Sequence, residues 1–342
     1  MSNKPPIEVP QGAIRLNTDS QRLEFFAQDR WYEFATNSPN LGNSPVGARG
    51  FWLSGSFYSP QSPINIIEFV TISTQGNGTD FGDTSEKWKY NMGCASNTRG
   101  LSGGGVYSDS GIYMNTIEFI TMSSSGNAQD FGDLLSDNKI FNSSLSNQTR
   151  GIWGSGGGSG AKVNTICFVT IASTGNAVDF GDITQARSNA GGLASPTRGV
   201  FAGGYTPTNV NTIDFITVAS TGDAQEFGDM TFRSTMSGQG CSSTRGILWG
   251  DAASSPYKTI NFITFATKGD GQDFGDSVTA TGYQNACSSP TRCLAGGGQS
   301  PISTNAIDMV EISSIGDATD FGDLITSSHF SCASYSNGHG GL

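Results

Sequence analysis

Residues 115–133 read NTIEFITMSSSGNAQDFGD, and the fold is decided there. Ile117, Phe119, Ile120 and Met122 put apolar side chains on both faces of an extended strand, so neither face is built for water. A short turn leads on to DFGD. That motif or a close variant returns with its Phe at Phe81, Phe131, Phe180, Phe227, Phe274 and Phe321, at intervals of 50, 49, 47, 47 and 47 residues. Five residues before each Phe stands a Gly: Gly76, Gly126, Gly175, Gly222, Gly269 and Gly316. Further upstream Arg49, Arg99, Arg150, Arg198 and Arg245 each precede a Gly, and Arg292 precedes Cys293. Each unit therefore reads as four strands: one of small residues such as GCASNT, a glycine-rich one such as RGVFAGG, the apolar one and the DFGD one. Four short strands at a period of 40 to 50 residues predict a propeller blade, and six copies predict six blades in an all-β chain.

The strand order resembles the kelch repeat, with Gly-Gly closing the second strand at Gly104-Gly105, Gly203-Gly204 and Gly297-Gly298. The resemblance covers residues 41 to 338 in architecture and is loose in detail. Where kelch repeats carry Tyr and Trp, this chain has Phe119, Phe215 and the DFGD Phe. Residues 41–342 are expected to form the propeller and residues 1–40 an arm. After the sixth DFGD the chain runs on as HFSCASYSNGHGGL, in which SCASYSNG matches GCASNTRG of the second unit. The expectation is that residues 330–337 supply the inner strand of the first blade beside residues 50–55, closing the ring and leaving no open sheet edge. The alternative has residues 42–48 in that place.

Composition agrees with short strands and tight turns, for the chain has 47 Gly among 342 residues. A formal charge of -11, from 18 Lys plus Arg against 29 Asp plus Glu, argues against nucleic acid as a partner. The start, MSNKPPIEVPQGAIR, has no apolar core of a signal peptide, and no later stretch approaches a membrane span. Cys94, Cys241, Cys287 and Cys332 fall where other units carry Leu145 and Leu193. Cys167 takes the slot of Glu118 and Asp214, and Cys293 replaces a Gly. Six buried reduced thiols are expected.

Residues 11–34, QGAIRLNTDSQRLEFFAQDRWYEF, alternate as a small β-hairpin or meander. Gly12, Ile14, Arg15, Asn17, Thr18, Glu24, Phe25 and Trp31 give this segment a pattern that resembles a short module of phage tail fibres and other virion appendages. The propeller units look like those of structural proteins of marine cyanophages. These resemblances imply a non-enzymatic virion protein of the tail fibre, tail tip or baseplate periphery, assembled in the host cytoplasm. Ile14, Arg15, Asn17, Phe25 and Trp31 are the implied attachment residues, and other tail or baseplate proteins the implied partners. A homo-trimer follows by analogy. A head-fibre or capsid decoration protein is a close variant, and a cytoplasmic kelch-like adaptor is the competing class.

Two connections in each unit are short and alike, at Thr-Arg-Gly and at Ser-Thr-Gly-Asn-Ala. The others vary: YSPQSP, VYSDSGIY, GSGGGSGAK, YTPTN, DAASSPY, GQSPIS and, between units, TSEKWKYNM. A variable rim on a rigid scaffold is where binding resides. Its aromatic residues, Tyr58, Trp88, Tyr107, Tyr205 and Tyr257, are candidates to stack on a host cell-surface glycan or to meet a protein receptor. The DFGD carboxylates suit calcium in principle. The preferred reading is structural: one caps the turn after the fourth strand, the other pairs with an Arg such as Arg150 or Arg198. His329 and His339, the two histidines, are too few for a kelch-like copper site. The Arg residues sit one per unit, which does not suit a sialidase. Neither a metal nor a cofactor is expected.

Overall fold

The computed structural model describes residues 10, 12–17, 22–28, 30–33, 48–56, 63–107, 112–135, 140, 142–158, 161–235, 238–250, 258–299, 303–327 and 329–342. Its contacts divide the chain into Met1–Asn43 and Ser44–Leu342. In the first part, Ile14–Asn17, Arg22–Ala27 and Arg30–Glu33 pair antiparallel in chain order, with Ile14 opposite Phe25 and Phe26 opposite Trp31. The alternating segment is thus a three-stranded meander.

The second part is a β-propeller-like arrangement without helix among the described residues. Four sheets of four antiparallel strands follow one another. They are Ser143–Ser146, Arg150–Gly154, Thr165–Thr170 and Val178–Asp182; then Gly191–Ala194, Arg198–Ala202, Thr212–Thr217 and Gln225–Asp229. Next come Gly238–Cys241, Arg245–Trp249, Thr259–Thr264 and Gln272–Asp276, and last Asn285–Ser288, Arg292–Gly296, Ala306–Glu311 and Thr319–Asp323. The first two sequence units share one larger sheet instead. Its order is Gln129–Asp133, Ile112–Thr121, Arg99–Tyr107, Thr79–Lys89, Pro63–Thr71, Arg49–Ser56 and Ala333–Ser336, with Met92–Ala95 also on Arg99–Tyr107. The DFGD strand of the first unit runs on through TSEKWK, and Trp88 and Lys89 pair with Tyr107 and Val106. The strand nearest the C-terminus pairs Ala333 with Leu53 and Ser336 with Gly50.

The apolar strand is buried on both faces because it serves two neighbours. Ile117, Ile120 and Met122 are all buried, and Phe119 is half-buried. Six apolar clusters result among the described residues, each drawing on two sequence units. One of them joins Leu294, Ile307 and Phe321 of the sixth unit to Trp52, Val70 and Ile72 of the first. Within units the DFGD Phe meets the Phe of the apolar strand edge-on, as in Phe168–Phe180 at 5.7 Å and 87°. Such a pair contributes about 0.5–1.5 kcal/mol beyond its buried area.

The DFGD glycine explains the rest of the motif. Opposite it the ladder shifts register, as between Ile213 and Asp214, so the fourth strand bulges away from its partner. The bulge turns Phe180 O toward Gly222 N of the next unit, at 2.7 Å, and Asp182 O toward Ala224 N, at 2.8 Å. The same stitch recurs at every junction, ending with Phe321 O and Asp323 O on Gly76 N and Gly78 N, at 3.2 and 2.7 Å. Neighbouring units are thereby joined through backbone as well as through apolar contact.

The structure corrects the roles expected of the repeated charges. Among the described residues, none of the repeated Arg side chains pairs with a DFGD carboxylate. Arg150 lies 4.6 Å over the Phe168 ring and donates to Val218 O of the next unit at 2.8 Å. Arg198 stacks likewise on Phe215 and donates to Phe265 O. A planar guanidinium can stack and donate at once, which a carboxylate partner at the exposed DFGD edge does not require. In the sixth unit Met309 replaces the Phe, and Arg292 pairs instead with Glu311 at 2.8 Å while still reaching Ile72 O at 3.3 Å. The segment after DFGD is not capped by its own acid either. The cap comes from the middle of the next unit's apolar strand: Asp214 accepts from Thr184 Oγ1 at 2.7 Å, and Asn261 from Thr231 Oγ1 at 2.8 Å.

Candidate functional site

Strand alternation puts the long connections on the edge opposite the Thr-Arg-Gly turns. Of the five aromatic candidates there, Tyr58 and Tyr257 lie outside the described residues. Trp88 and Tyr107 are brought together as register partners, in strands and not in loops. Trp88 is only 4% exposed and belongs to the packing, whereas Tyr107 is 36% exposed. Beside them the next strand adds Ile112 and Tyr113, 56% and 37% exposed, which the sequence reading passed over. Tyr205 is 38% exposed, and Lys162 of the preceding unit sits 4.6 Å from its ring. The described rim thus offers two separate aromatic faces, one flanked by an aliphatic side chain and one by an ammonium.

On the arm, Ile14 is 64% exposed. Arg15 bonds Glu24 at 2.8 Å and stands 4.0 Å over Trp31, which itself meets Phe26 at 5.3 Å. The side chains of Asn17 and Phe25 lie outside what is described, though their strands are paired.

Sequence reasoning missed the buried charges. Each acidic or amide residue in the middle of an apolar strand is buried, including Glu68, Glu118, Asp214, Asn261 and Asp308. Two have buried cationic or ring partners from the segment after the preceding DFGD. Arg187 meets Asp214 at 2.9 Å, and His329 meets Glu68 at 2.6 Å. Burial pulls the Arg187 guanidinium down from its ordinary range against the pull of Asp214. Asp308 accepts from Val278 N at 3.0 Å, and burial pushes its carboxyl up to about 6. Glu118, capping Ser85, is raised by burial as well. The spacing of these residues within the repeat was visible, and each meets the residue two after DFGD, at Ser85, Thr184, Thr231, Val278 and Ile325, but Arg187 and His329 are particular to their own junctions.

The first strands of the units surround a cavity of about 50 Å³, lined by small residues such as Ala95, Ser146, Ala194, Cys241, Ser288 and Ser336. Serine hydroxyls lace these strands together: Ser146 Oγ donates to Ala95 O at 2.8 Å, and Ser288 Oγ to Cys241 O at 2.8 Å. The space suits a water or two and is far below that of a substrate pocket. The C-terminal residues cross its end. His339 Nε2 reaches Ala95 O at 2.8 Å, Gly341 N donates to His339 Nδ1 at 3.1 Å, and Gly340 N donates to Cys241 O at 2.9 Å. One ring nitrogen donates and the other accepts, so His339 is neutral, and burial lowers it to about 4. All six cysteines are free and buried. Burial pushes the Cys167 thiol up to about 12, and the others move in the same direction, so none is a poised nucleophile. No group of His, Cys, Asp or Glu among the described residues could hold a metal ion, and no described helix is long and apolar enough to cross a membrane.

No protein-family model matches the chain, and no curated protein matches it.

Proposed function

We propose that the chain is a six-bladed, kelch-like β-propeller closed by its C-terminal strand, and that it serves as a non-enzymatic structural protein of a phage virion. The closed ring is supported by contacts that run from the sixth unit to the first in the same form as between other neighbours. Arg292 reaches Ile72 O and Ser73 O as Arg99 reaches Ile171 O and Ala172 O. The backbone stitch from Phe321 and Asp323 repeats that from Phe81 and Asp83. Ala333–Ser336 takes the place beside Arg49–Ser56 that Met92–Ala95 takes beside Arg99–Tyr107.

The virion role rests on the arm. Its pattern resembles a module of tail fibres, and its three strands make a unit of their own with Ile14 uncovered. Ile14, 64% exposed, would gain from burial against a surface on which the arm docks. In this reading the arm attaches the protein to tail or baseplate neighbours, and the propeller presents Tyr107, Ile112, Tyr113 and Tyr205 to a host-surface glycan or protein. A trimeric arrangement and an appendage location belong to the same reading.

Mass spectrometry of gradient-purified particles from an infected culture tests it. The chain should be present at a fixed stoichiometry, and antibodies to the propeller should block adsorption. Its absence from particles, with capture of a single cytosolic protein from uninfected cells, would mark it as an adaptor instead.

A further inference from the structure

His329 follows the sixth DFGD, Glu68 lies in the apolar strand of the first unit, and both side chains are fully buried. His329 Nδ1 is 2.7 Å from Ser54 O, and Nε2 is 2.6 Å from Glu68 Oε1. The Ser54 carbonyl can only accept, and so can an ionised carboxylate. A neutral imidazole has one N–H, so it would satisfy one of these oxygens and turn a lone pair on the other. The carboxyl is not free to swing away, because Glu68 Oε2 accepts from Ile325 N at 2.6 Å. Orphaning a buried backbone donor is expensive.

We infer that the His329–Glu68 pair holds one proton more than a neutral ring and a carboxylate would, and that this proton is a structural part of the junction. An imidazolium facing a carboxylate and an imidazole facing a carboxylic acid have the same composition. Both place a hydrogen between Nε2 and Oε1, and solvent supplies it during folding. A second junction supports the assignment. Between the third and fourth units the same slot is filled by Arg187, whose NH2 reaches Asp214 Oδ2 at 2.9 Å with a proton that it cannot lose. The other groups near the pair bring no competing charge into the interior. Cys332, which interacts with Glu68, is a buried neutral thiol held far up by desolvation. Asp80, opposite Glu68 in the ladder, is exposed. The inference concerns the fold and stands whatever the rim binds.

The test is nitrogen-15 NMR of the histidine rings in the full chain at neutral pH, with His339→Asn to assign the two rings, joined by infrared difference spectra against Glu68→Gln. Expected is either two slowly exchanging N–H groups on His329, or one together with a carboxylic acid band that Glu68→Gln removes. A single ring N–H with no such band would overturn the inference. Gln at position 68 supplies a permanent N–H toward Nε2 and an oxygen for Ile325. Glu68→Gln should therefore melt within about 2 °C of the native protein, and Glu68→Ala more than about 5 °C below it. Equal losses in the two variants would also overturn it, since an N–H supplied at position 68 would then fail to replace the shared hydrogen.

Discussion

A Cβ on Gly275 would stand 2.5 Å from the carbonyl oxygen of Gly316, so the DFGD strand of one unit lies against the turn of the next with no room for a side chain. Gly275 also has φ +147, and so does Gly269, at +148, but nothing lies within 4 Å of a Cβ on Gly269. The pair separates strain from crowding. Gly269→Ala meets the backbone penalty alone and should cost about 1–2 kcal/mol. Gly275→Ala adds a clash with backbone and should cost roughly 2–4 kcal/mol. Urea unfolding of the two variants checks the difference, and equal losses would mean that the junction is soft.

Asp308 gives a pH dependence with a definite sign. Its carboxyl is raised by burial to about 6 in the folded chain. The folded state therefore binds the proton more tightly than the unfolded one, so the stabilisation is fully present below the ordinary carboxylate range and is lost as pH rises to about 6. The loss is on the order of 3 kcal/mol. In the fifth unit the same slot holds Asn261, which accepts from Thr231 N at 3.0 Å. Asp308→Asn should flatten the slope between pH 4 and 6 and be more stable than the native chain at pH 7.5. Denaturant midpoints across that range decide it.

His339 titrates in the opposite sense. Lowered by burial to about 4, it contributes stability above its ordinary range that is lost as pH falls toward 4. In the native protein this partly offsets the Asp308 slope. His339→Asn should remove the acid-side loss and, by breaking the contact with Ala95 O, lower stability at pH 7.5 by about 1–2 kcal/mol. An unchanged acid limb in thermal melts would show that the C-terminal residues leave the cavity end before His339 protonates.

Arg292 and Glu311 form the half-exposed substitute for the Arg–Phe stack of the other units, with side chains 30% and 43% exposed. Exposed pairs are screened and weak, so a double-mutant cycle on Arg292 and Glu311 should give no more than about 1 kcal/mol, falling further in 1 M salt. The cycle on Arg150 and Phe168 should keep its coupling in salt, because stacking rather than an ion pair carries it. The reverse pattern would restore ion pairing as what sets these junctions.

How far the sequence reaches is seen in single residues. Phe131 and Ile117 were legible because burial on both faces imposes a repeated apolar pattern, and Gly132 because a bulge against a neighbour admits no Cβ. Asp214 was visible only as one slot among six: Thr184, two residues after DFGD, has a counterpart in Thr231, but the position of Arg187 holds Ser234 and Thr281 in the next two units, so its ion pair left no repeated signal. Arg150 was assigned to a carboxylate because spacing shows charge but not stacking; Phe168 lies across the hairpin and the acceptor, Val218 O, is backbone of the next unit. The C-terminal GHGGL shares nothing with the repeat. Only the distances to Ala95 and Cys241 reveal that it crosses the cavity.

Trp88 and Tyr107 are neighbours in the ladder with opposite exposure, and that contrast tests the rim. Trp88→Ala removes a buried indole from the join between the first two units and should cost about 3–5 kcal/mol. Tyr107→Ala and Tyr205→Ala truncate half-exposed rings and should shift the melting temperature little. If the rim meets a host surface through its aromatic faces, these two variants lose binding to intact cells, measured by co-sedimentation, while remaining folded by circular dichroism. A double variant that binds as the native chain does would move recognition off this rim. Recovery with Tyr107→Phe would show that the face of the ring, not its hydroxyl, makes the contact.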